Sequence, residues 1–328
     1  MEAAVDSHTH ESLKSPKSSW SDRRHLTDTK DLTAGEISHL LELARGYKRL
    51  RLSAEAPLAV NTGRILANLF YENSTRTRMS FELAARALGM NVLNLDTAAS
   101  SVKKGETFED TARALLAMGA SVIIQRHSAS GSAERLVDMF GKRLHVVNAG
   151  DGANAHPTQA LLDLMTMLEI KPSLEGTKVA IIGDVTYSRV ARSDIWLLKK
   201  MGADIHVAGP PTLVPMHLET FGVTVHKKLE DALKSADFVI ALRLQIERQQ
   251  AGLIPSLEEY SRIYRLDHAR LKVASPKVRL LHPGPINRGV EITDDLAEDS
   301  SISLIDEQVT NGVAMRMAVL NAVCSTDR

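Results

Sequence analysis

The sequence predicts an α/β protein built as two doubly wound parallel-sheet domains joined by interdomain helices. Two observations carry this expectation. Short apolar runs alternate with amphipathic helical segments along nearly the whole chain, the pattern of strand–helix–strand units closing a parallel sheet. The alternation pauses at Pro172 and Gly176 and then restarts, and 328 residues suit two domains of ordinary size.

Residues Met1 to Trp20 are rich in Ser, His and Lys with almost nothing to bury, and read as a disordered tail. His8-Thr9-His10 is a short histidine pair within it, for which a solvated tail is the simpler reading than a metal site. Asp31-Leu32-Thr33 leads into Ile37, Leu40, Leu41, Ala44 and Tyr47, one helix face, with Thr33 and Glu36 spaced as a capping box. Ile65–Phe70 reads as a buried strand, followed by a helix whose apolar face is assigned to Met79, Phe81, Leu83, Ala84 and Leu88 and which stops near Gly89. Strands are expected over 91–95, 121–125 and 144–148, with helices over 108–118 and 136–140 between them. A helix over 160–168 is taken as the bridge between domains. The second half gives strands over 178–184, 204–208, 223–225, 237–242 and 278–281, helices over 190–200 and 229–234, and a final helix over 309–323.

Lys+Arg and Asp+Glu balance at 40 each, so no global field favours nucleic acid or an anionic membrane, and any basic site must be local. The single cysteine, Cys324, excludes an intrachain disulfide and a cysteine-based metal cluster, which makes a reducing cytoplasm the default compartment. No apolar run approaches a membrane span, and the first residues lack the apolar core of a signal peptide. Gly183-Asp184 after an apolar strand lacks the glycine spacing of a dinucleotide turn, and there is no P-loop.

The chain is organised around Phe70-Tyr71-Glu72-Asn73-Ser74-Thr75-Arg76-Thr77-Arg78. It sits at a strand-to-helix turn, where free N–H groups and the positive end of the helix dipole point outward. Hydroxyls from Ser74, Thr75 and Thr77 and the guanidinium of Arg76 turn this into an oxyanion cradle; the competing reading is a capped helix with solvated arginines. Ligands of parallel sheets bind outside the carboxyl ends of strands, a rule that also selects Arg126-His127, Gly183-Asp184 and beyond, Arg243 and His282 to Pro285. Arg76, Arg126, Arg189 and Arg243 at such positions suit a multiply anionic ligand set, where a lone arginine would be a solvated rim residue. His156, just before a helix with Gln159 one turn later, is either quietly packed or ligand-facing, and a neutral histidine there can donate to a carbonyl.

Ser-Thr-Arg-Thr-Arg at this turn resembles the carbamoyl-phosphate loop of the aspartate and ornithine carbamoyltransferases. Lys104-Gly105-Glu106-Thr107, Arg126-His127, His156-Pro157-Thr158-Gln159, Arg243-Leu244-Gln245-Ile246-Glu247-Arg248 and His282-Pro283-Gly284-Pro285 are similar to that family in the same order, over about Arg23 to Val323. The Arg-x-Gln-x-Glu-Arg run and His-Pro-Gly-Pro resemble the aspartate branch; the ornithine branch is expected to carry Asp-x-x-x-Ser-Met-Gly and His-Cys-Leu-Pro, and both are missing.

The resemblance implies transfer of the carbamoyl group of carbamoyl phosphate to L-aspartate, a step of pyrimidine synthesis, with no cofactor and no metal. It implies a carbamoyl-phosphate-binding domain over 21–156 plus 308–328 and an aspartate-binding domain over 157–307. Ser74, Thr75, Arg76 and Thr77 would hold the phosphate, and Arg126 would reach phosphate and carbonyl oxygen. Thr77, Arg126 and His156 would polarise the carbamoyl group, Gln159 would bind its amide, and the backbone carbonyls of Gly284 and Pro285 would accept from its amine. Arg189, Arg243 and Gln245 would grip the aspartate carboxylates. Lys104, catalytic and aspartate-binding, and Ser100, carbamoyl-phosphate-binding, would come from a neighbouring subunit of a homotrimer. Association with a regulatory chain or another pyrimidine enzyme is left open, although nothing here resembles the zinc-bearing regulatory chain. A different amine acceptor such as ornithine, or a catalytically silent partner of the same fold, are the rival readings; retention of Arg76, Lys104, Arg126 and His156 argues against the latter.

Overall fold

The computed structural model describes residues 20, 23–53, 60–95, 106–245, 253–254 and 256–327. Two units divide the chain: one runs to Gly152 and resumes at Thr310, and the other covers Ala153–Val309. Residues 1–19 of the expected tail lie outside the described residues, but Trp20 does not behave as tail. It is 6% exposed, its indole N–H donates to the Arg23 carbonyl at 3.0 Å, and its ring lies 6.3 Å from that of His39. A large ring with a satisfied N–H gains more from burial than any small polar neighbour.

The first unit opens with α1 (Ala34–Leu52). Thr33 caps it as expected: its hydroxyl accepts from the Glu36 N–H at 3.2 Å while the Glu36 carboxylate accepts from the Thr33 N–H at 2.8 Å. Ile37, Leu40, Leu41, Ala44 and Tyr47 are all buried. The sheet holds β1 (Ile65–Phe70), β2 (Asn91–Asn94), β3 (Ala120–His127) and β4 (His145–Asp151), all parallel, in the order β2-β1-β3-β4. Between them run α2 (Thr75–Ala87), α3 (Phe108–Ala117) and α4 (Ser132–Phe140). Ala67, Leu69, Ile123 and Val146 of the sheet pack against Leu115 of α3 and Leu136 and Phe140 of α4. Each such large side chain contributes about 1.5–3 kcal/mol by leaving water.

One helix face differs from expectation. Thr77, Phe81, Ala84 and Ala85 are the buried residues of α2, whereas Met79 and Leu83 are 55% and 52% exposed. At 3.6 residues per turn, positions two before and two after Phe81 fall on the far side of the helix.

The second unit holds β5 (Lys178–Ile182), β6 (Asp204–Ala208), β7 (Thr224–His226), β8 (Phe238–Ala241) and β9 (Arg279–Leu281), again all parallel, in the order β7-β6-β5-β8-β9. Its helices are α5 (Pro157–Ile170), α6 (Arg189–Lys200), α7 (Leu229–Leu233), α8 (Leu257–Tyr264), α9 (His268–Leu271) and α10 (Asp294–Glu298), with a 3-10 turn over Met216–Phe221. Helices α8, α9 and α10 and that turn are short and carry too few residues to show a helical period in the sequence. Every residue from Pro157 to Leu168 is buried, so α5 is an interior helix with no solvent face. The terminal helix α11 (Ile305–Ser325) begins in the second unit and continues in the first. Among the described residues no helix is long and apolar enough to cross a membrane.

Candidate active site

In each sheet the strand order reverses at one place, and the carboxyl edge at such a point is where parallel sheets meet their ligands. In the first unit it lies between β1 and β3, where Phe70 is paired in register with Arg126. The turn after β1 carries Ser74 at the N-cap of α2 in an extended conformation (φ −161°, ψ 91°), with its hydroxyl making no capping bond. No acidic residue occupies the first turn, so nothing anionic competes there for the N–H groups and the dipole. Thr75 and Arg76 are exposed, Ser74 is half-buried and Thr77 is buried.

Arg126 is the last residue but one of β3, and its side chain is 11% exposed. It donates to the Ala149 carbonyl at 3.0 Å and to the Glu72 carboxylate at 3.2 Å. Glu72 belongs to the turn itself, so the fold brings the Ser74–Thr77 cradle and Arg126 together. Behind them Tyr71, Phe108 and His127 form a ring cluster with centroids 5.0–5.4 Å apart, and the Tyr71 hydroxyl donates to Thr111 at 3.0 Å. Burial lowers the His127 pKa, with Glu109, Glu72 and Asp151 opposing it.

In the second unit the reversal lies between β5 and β8, where Ile182 pairs with Ala241. Arg189 begins α6 and is 3% exposed; Ser188 caps that helix by accepting from the Ala191 N–H at 3.1 Å. Arg243 and Gln245 follow β8 and are joined, Arg243 donating to the Gln245 side-chain oxygen at 3.3 Å and Gln245 returning a bond to the Arg243 carbonyl at 3.4 Å. Buried Asp184 ties the two loops, accepting from the Tyr187 N–H at 3.1 Å and the Gln245 N–H at 3.3 Å. Glu291 ties the second loop to the segment after Gly284-Pro285: it accepts from the Leu244 N–H (2.9 Å), the Asn287 N–H (2.7 Å) and the Asn287 side chain (2.6 Å). His156 caps α5 ahead of Pro157, buried, with its N–H donating to the Ser193 hydroxyl at 2.9 Å. Gln159, one turn on, donates from its side chain to Asp163 at 2.9 Å.

Each unit thus gathers its own expected residues: Ser74, Thr75, Arg76, Thr77 and Arg126 in the first, His156, Gln159, Arg189, Arg243, Gln245, Gly284 and Pro285 in the second. Ser100 and Lys104 lie outside the described residues, as does Ile246-Glu247-Arg248. The carboxylates Glu72, Asp163 and Glu291 escaped the sequence reading. Glu72 sits inside the quoted turn and Asp163 lies four residues from Gln159, so both left a local trace. Glu291 is 47 positions from Leu244, and nothing local signals it.

An uncapped, acid-free helix start beside Arg126 in the first unit, and Arg189 and Arg243 following strands of the second, suit a protein that handles anionic substrates. Family models place it further: that for "Aspartate/ornithine carbamoyltransferase, carbamoyl-P binding domain" matches residues 24–169, and that for the Asp/Orn binding domain matches 175–323. The chain belongs to the aspartate/ornithine carbamoyltransferase family. It is 52% identical over 304 residues to the aspartate carbamoyltransferase catalytic subunit of Acetivibrio thermocellus, covering 93% of this chain and 96% of that one. The corresponding subunit of Desulforudis audaxviator is 50% identical over 297 residues, 90% of this chain and 96% of the other. Among solved structures, aspartate transcarbamoylase from Trypanosoma cruzi in complex with carbamoyl phosphate superposes with a TM-score of 0.83 at 30% identity, over 94% of this chain and 99% of that one. Ornithine carbamoyltransferase from Pyrococcus furiosus gives 0.78 at 30% identity, over 92% and 96%.

Proposed function

We propose that this chain is an aspartate carbamoyltransferase, moving the carbamoyl group of carbamoyl phosphate onto the amine of L-aspartate to give N-carbamoyl-L-aspartate and phosphate in pyrimidine synthesis. The observation that carries the choice of acceptor is the joined Arg243–Gln245 pair after β8, with Arg189 at the start of α6. Guanidinium forks suit the carboxylates of aspartate and repel a cationic ornithine side chain.

In this reading Ser74, Thr75, Arg76 and Thr77 bind the phosphate, and Thr77, Arg126 and His156 direct donors at the carbonyl oxygen that gains charge on attack. Donors fixed at such an oxygen are worth on the order of 10²–10³ in rate each. Gln159 and the carbonyls of Gly284 and Pro285 read the carbamoyl amine, and Arg189, Arg243 and Gln245 hold aspartate. Holding two anions in attack geometry against their repulsion supplies up to about 7–11 kcal/mol. The departing phosphate takes the amine proton, so no carboxylate base is required. The carbamoyl-phosphate-binding domain is residues 21–156 plus 308–328, and the aspartate-binding domain is 157–307.

The active chain is a homotrimer in the cytoplasm, with Ser100 contributed by a neighbour to carbamoyl phosphate and Lys104 to catalysis and aspartate binding. Self-association is supported by the outward apolar side of the first unit, where Met79 and Leu83 of α2 and Leu93 of the edge strand β2 are exposed. The test is phosphate release from carbamoyl phosphate with aspartate or with ornithine as acceptor. Turnover with aspartate alone is expected; turnover with ornithine overturns the assignment.

A further inference from the structure

A chain of buried side chains in the second unit runs from Gln159 to the loop after β9. Asp163 on α5, 1% exposed, receives two amide donors on one carboxylate oxygen: Gln159 Nε2 at 2.9 Å and Gln308 Nε2 at 2.6 Å. Gln308, in the first turn of α11, accepts from the His282 backbone N–H at 2.9 Å through its own side-chain oxygen. His282 in turn accepts from the Gly284 N–H at 2.8 Å.

The polarity of this chain is forced by chemistry. The Asp163 oxygen that both glutamines meet is an acceptor, so both turn their NH₂ groups toward it. A backbone N–H donates only, so the other end of Gln308 must be its carbonyl, which agrees. One N–H donated to Asp163 fixes which end of the Gln159 amide faces the carboxylate, and its carbonyl oxygen and second N–H are left for a ligand. A free glutamine presents either end with similar ease and so does not distinguish an amine from a methyl or a carbonyl.

We propose that Asp163 and Gln308 are positioning residues for carbamoyl recognition: they lock the Gln159 amide so that it presents an acceptor, and they tie it to the loop whose Gly284 and Pro285 carbonyls are the other acceptors. The inference rests on the reading of Gln159, Gly284 and Pro285 given above and extends it to the substrate's NH₂ group. Three acceptors in fixed positions select a carbamoyl compound over its acetyl analogue, because the methyl leaves them unpaired. Burial, with Asp163 beside it, raises the carboxyl of neighbouring Asp194 on α6 well above the usual range.

The test compares two stable phosphonates by calorimetry on the assembled enzyme: phosphonoacetamide, which carries the NH₂, and acetonylphosphonate, which carries a methyl in its place. Asp163→Ala and Gln308→Met are expected to cut the preference for the amide by about 10- to 100-fold, the effect of one or two buried acceptors lost or misaimed. Affinity for inorganic phosphate should hold, and Asp163→Asn, which keeps the accepting oxygen, should retain the preference. A purely structural role would weaken both phosphonates equally, and that result overturns the proposal. Should Asp163→Ala fail to fold, Gln308→Met decides alone. Gln159→Ala separates the two layers: if it leaves the preference intact, the reading of Gln159 falls and takes the proposal with it. If it abolishes the preference while the Asp163 and Gln308 variants do not, the positioning role alone is wrong.

Discussion

Replacing Glu291 by Gln keeps the volume of a side chain that is 2% exposed and changes only its hydrogen bonding. Both oxygens of Glu291 face donors. One accepts from the Leu244 N–H and the Asn287 side chain, the other from the Asn287 N–H. An amide therefore places an NH₂ against an N–H in either orientation. The cheaper orientation sacrifices the Asn287 backbone bond, leaving a donor unsatisfied at a cost of about 1–3 kcal/mol. The two surviving bonds lose their charge assistance, about 0.5–1 kcal/mol each. The expected loss of stability is thus about 2–5 kcal/mol, which is a large fraction of what a domain possesses. Because Leu244 lies between Arg243 and Gln245, the same change loosens the aspartate clamp. Thermal unfolding should show the lower melting temperature, and steady-state kinetics should show aspartate KM raised at least about tenfold. An unchanged melting temperature with an unchanged aspartate KM would refute the claim that this carboxylate holds the loop.

Arg243→Ala should raise aspartate KM steeply while carbamoyl phosphate affinity, read by calorimetry, stays near that of the parent; equal loss of both would place Arg243 elsewhere. The pH dependence of stability tests His268, whose pKa is raised by its bonds to Asp299 (3.0 Å) and Asp295 (3.1 Å). A raised folded-state pKa gives stability that is complete below the unfolded value near 6.5 and fades as pH rises through the folded value. Parent and His268→Asn melting curves should therefore differ most at acid pH and converge as the pH rises through the folded-state value, and a gap that grows with pH contradicts this. Arg76→Ala and Lys104→Ala chains should each be inactive alone, yet dissociating, mixing and reassembling them should restore about a quarter of the sites, given head-to-tail closure. Activity that stays at the mutant baseline, with mixed trimers verified by native mass spectrometry, counts against shared sites.

Local chemistry accounts for what could be read directly from the amino-acid order. The class of fold follows from strand-length apolar runs alternating with helices, because burial on both faces of a parallel sheet demands such runs. The capping box at Thr33 and Glu36 and the Ser74–Thr77 turn are legible because capping acts over three or four residues. Arg126, Arg189 and Arg243 are legible as post-strand or helix-start residues, since the carboxyl edge of a parallel sheet is where ligands are met.

Tertiary structure decided whatever depends on partners far apart in the chain. It set the strand orders β2-β1-β3-β4 and β7-β6-β5-β8-β9, which place the reversal points and pair Phe70 with Arg126. It turned Met79 and Leu83 outward, against a sequence reading that weighed apolar character without the rotation around Phe81. Above all it chose the carboxylates. Glu291 meets Leu244, and Asp163 meets Gln308 across 145 positions, because a buried charge must find donors wherever the fold supplies them. No local pattern records that requirement; only the packed interior, where water is excluded, enforces it.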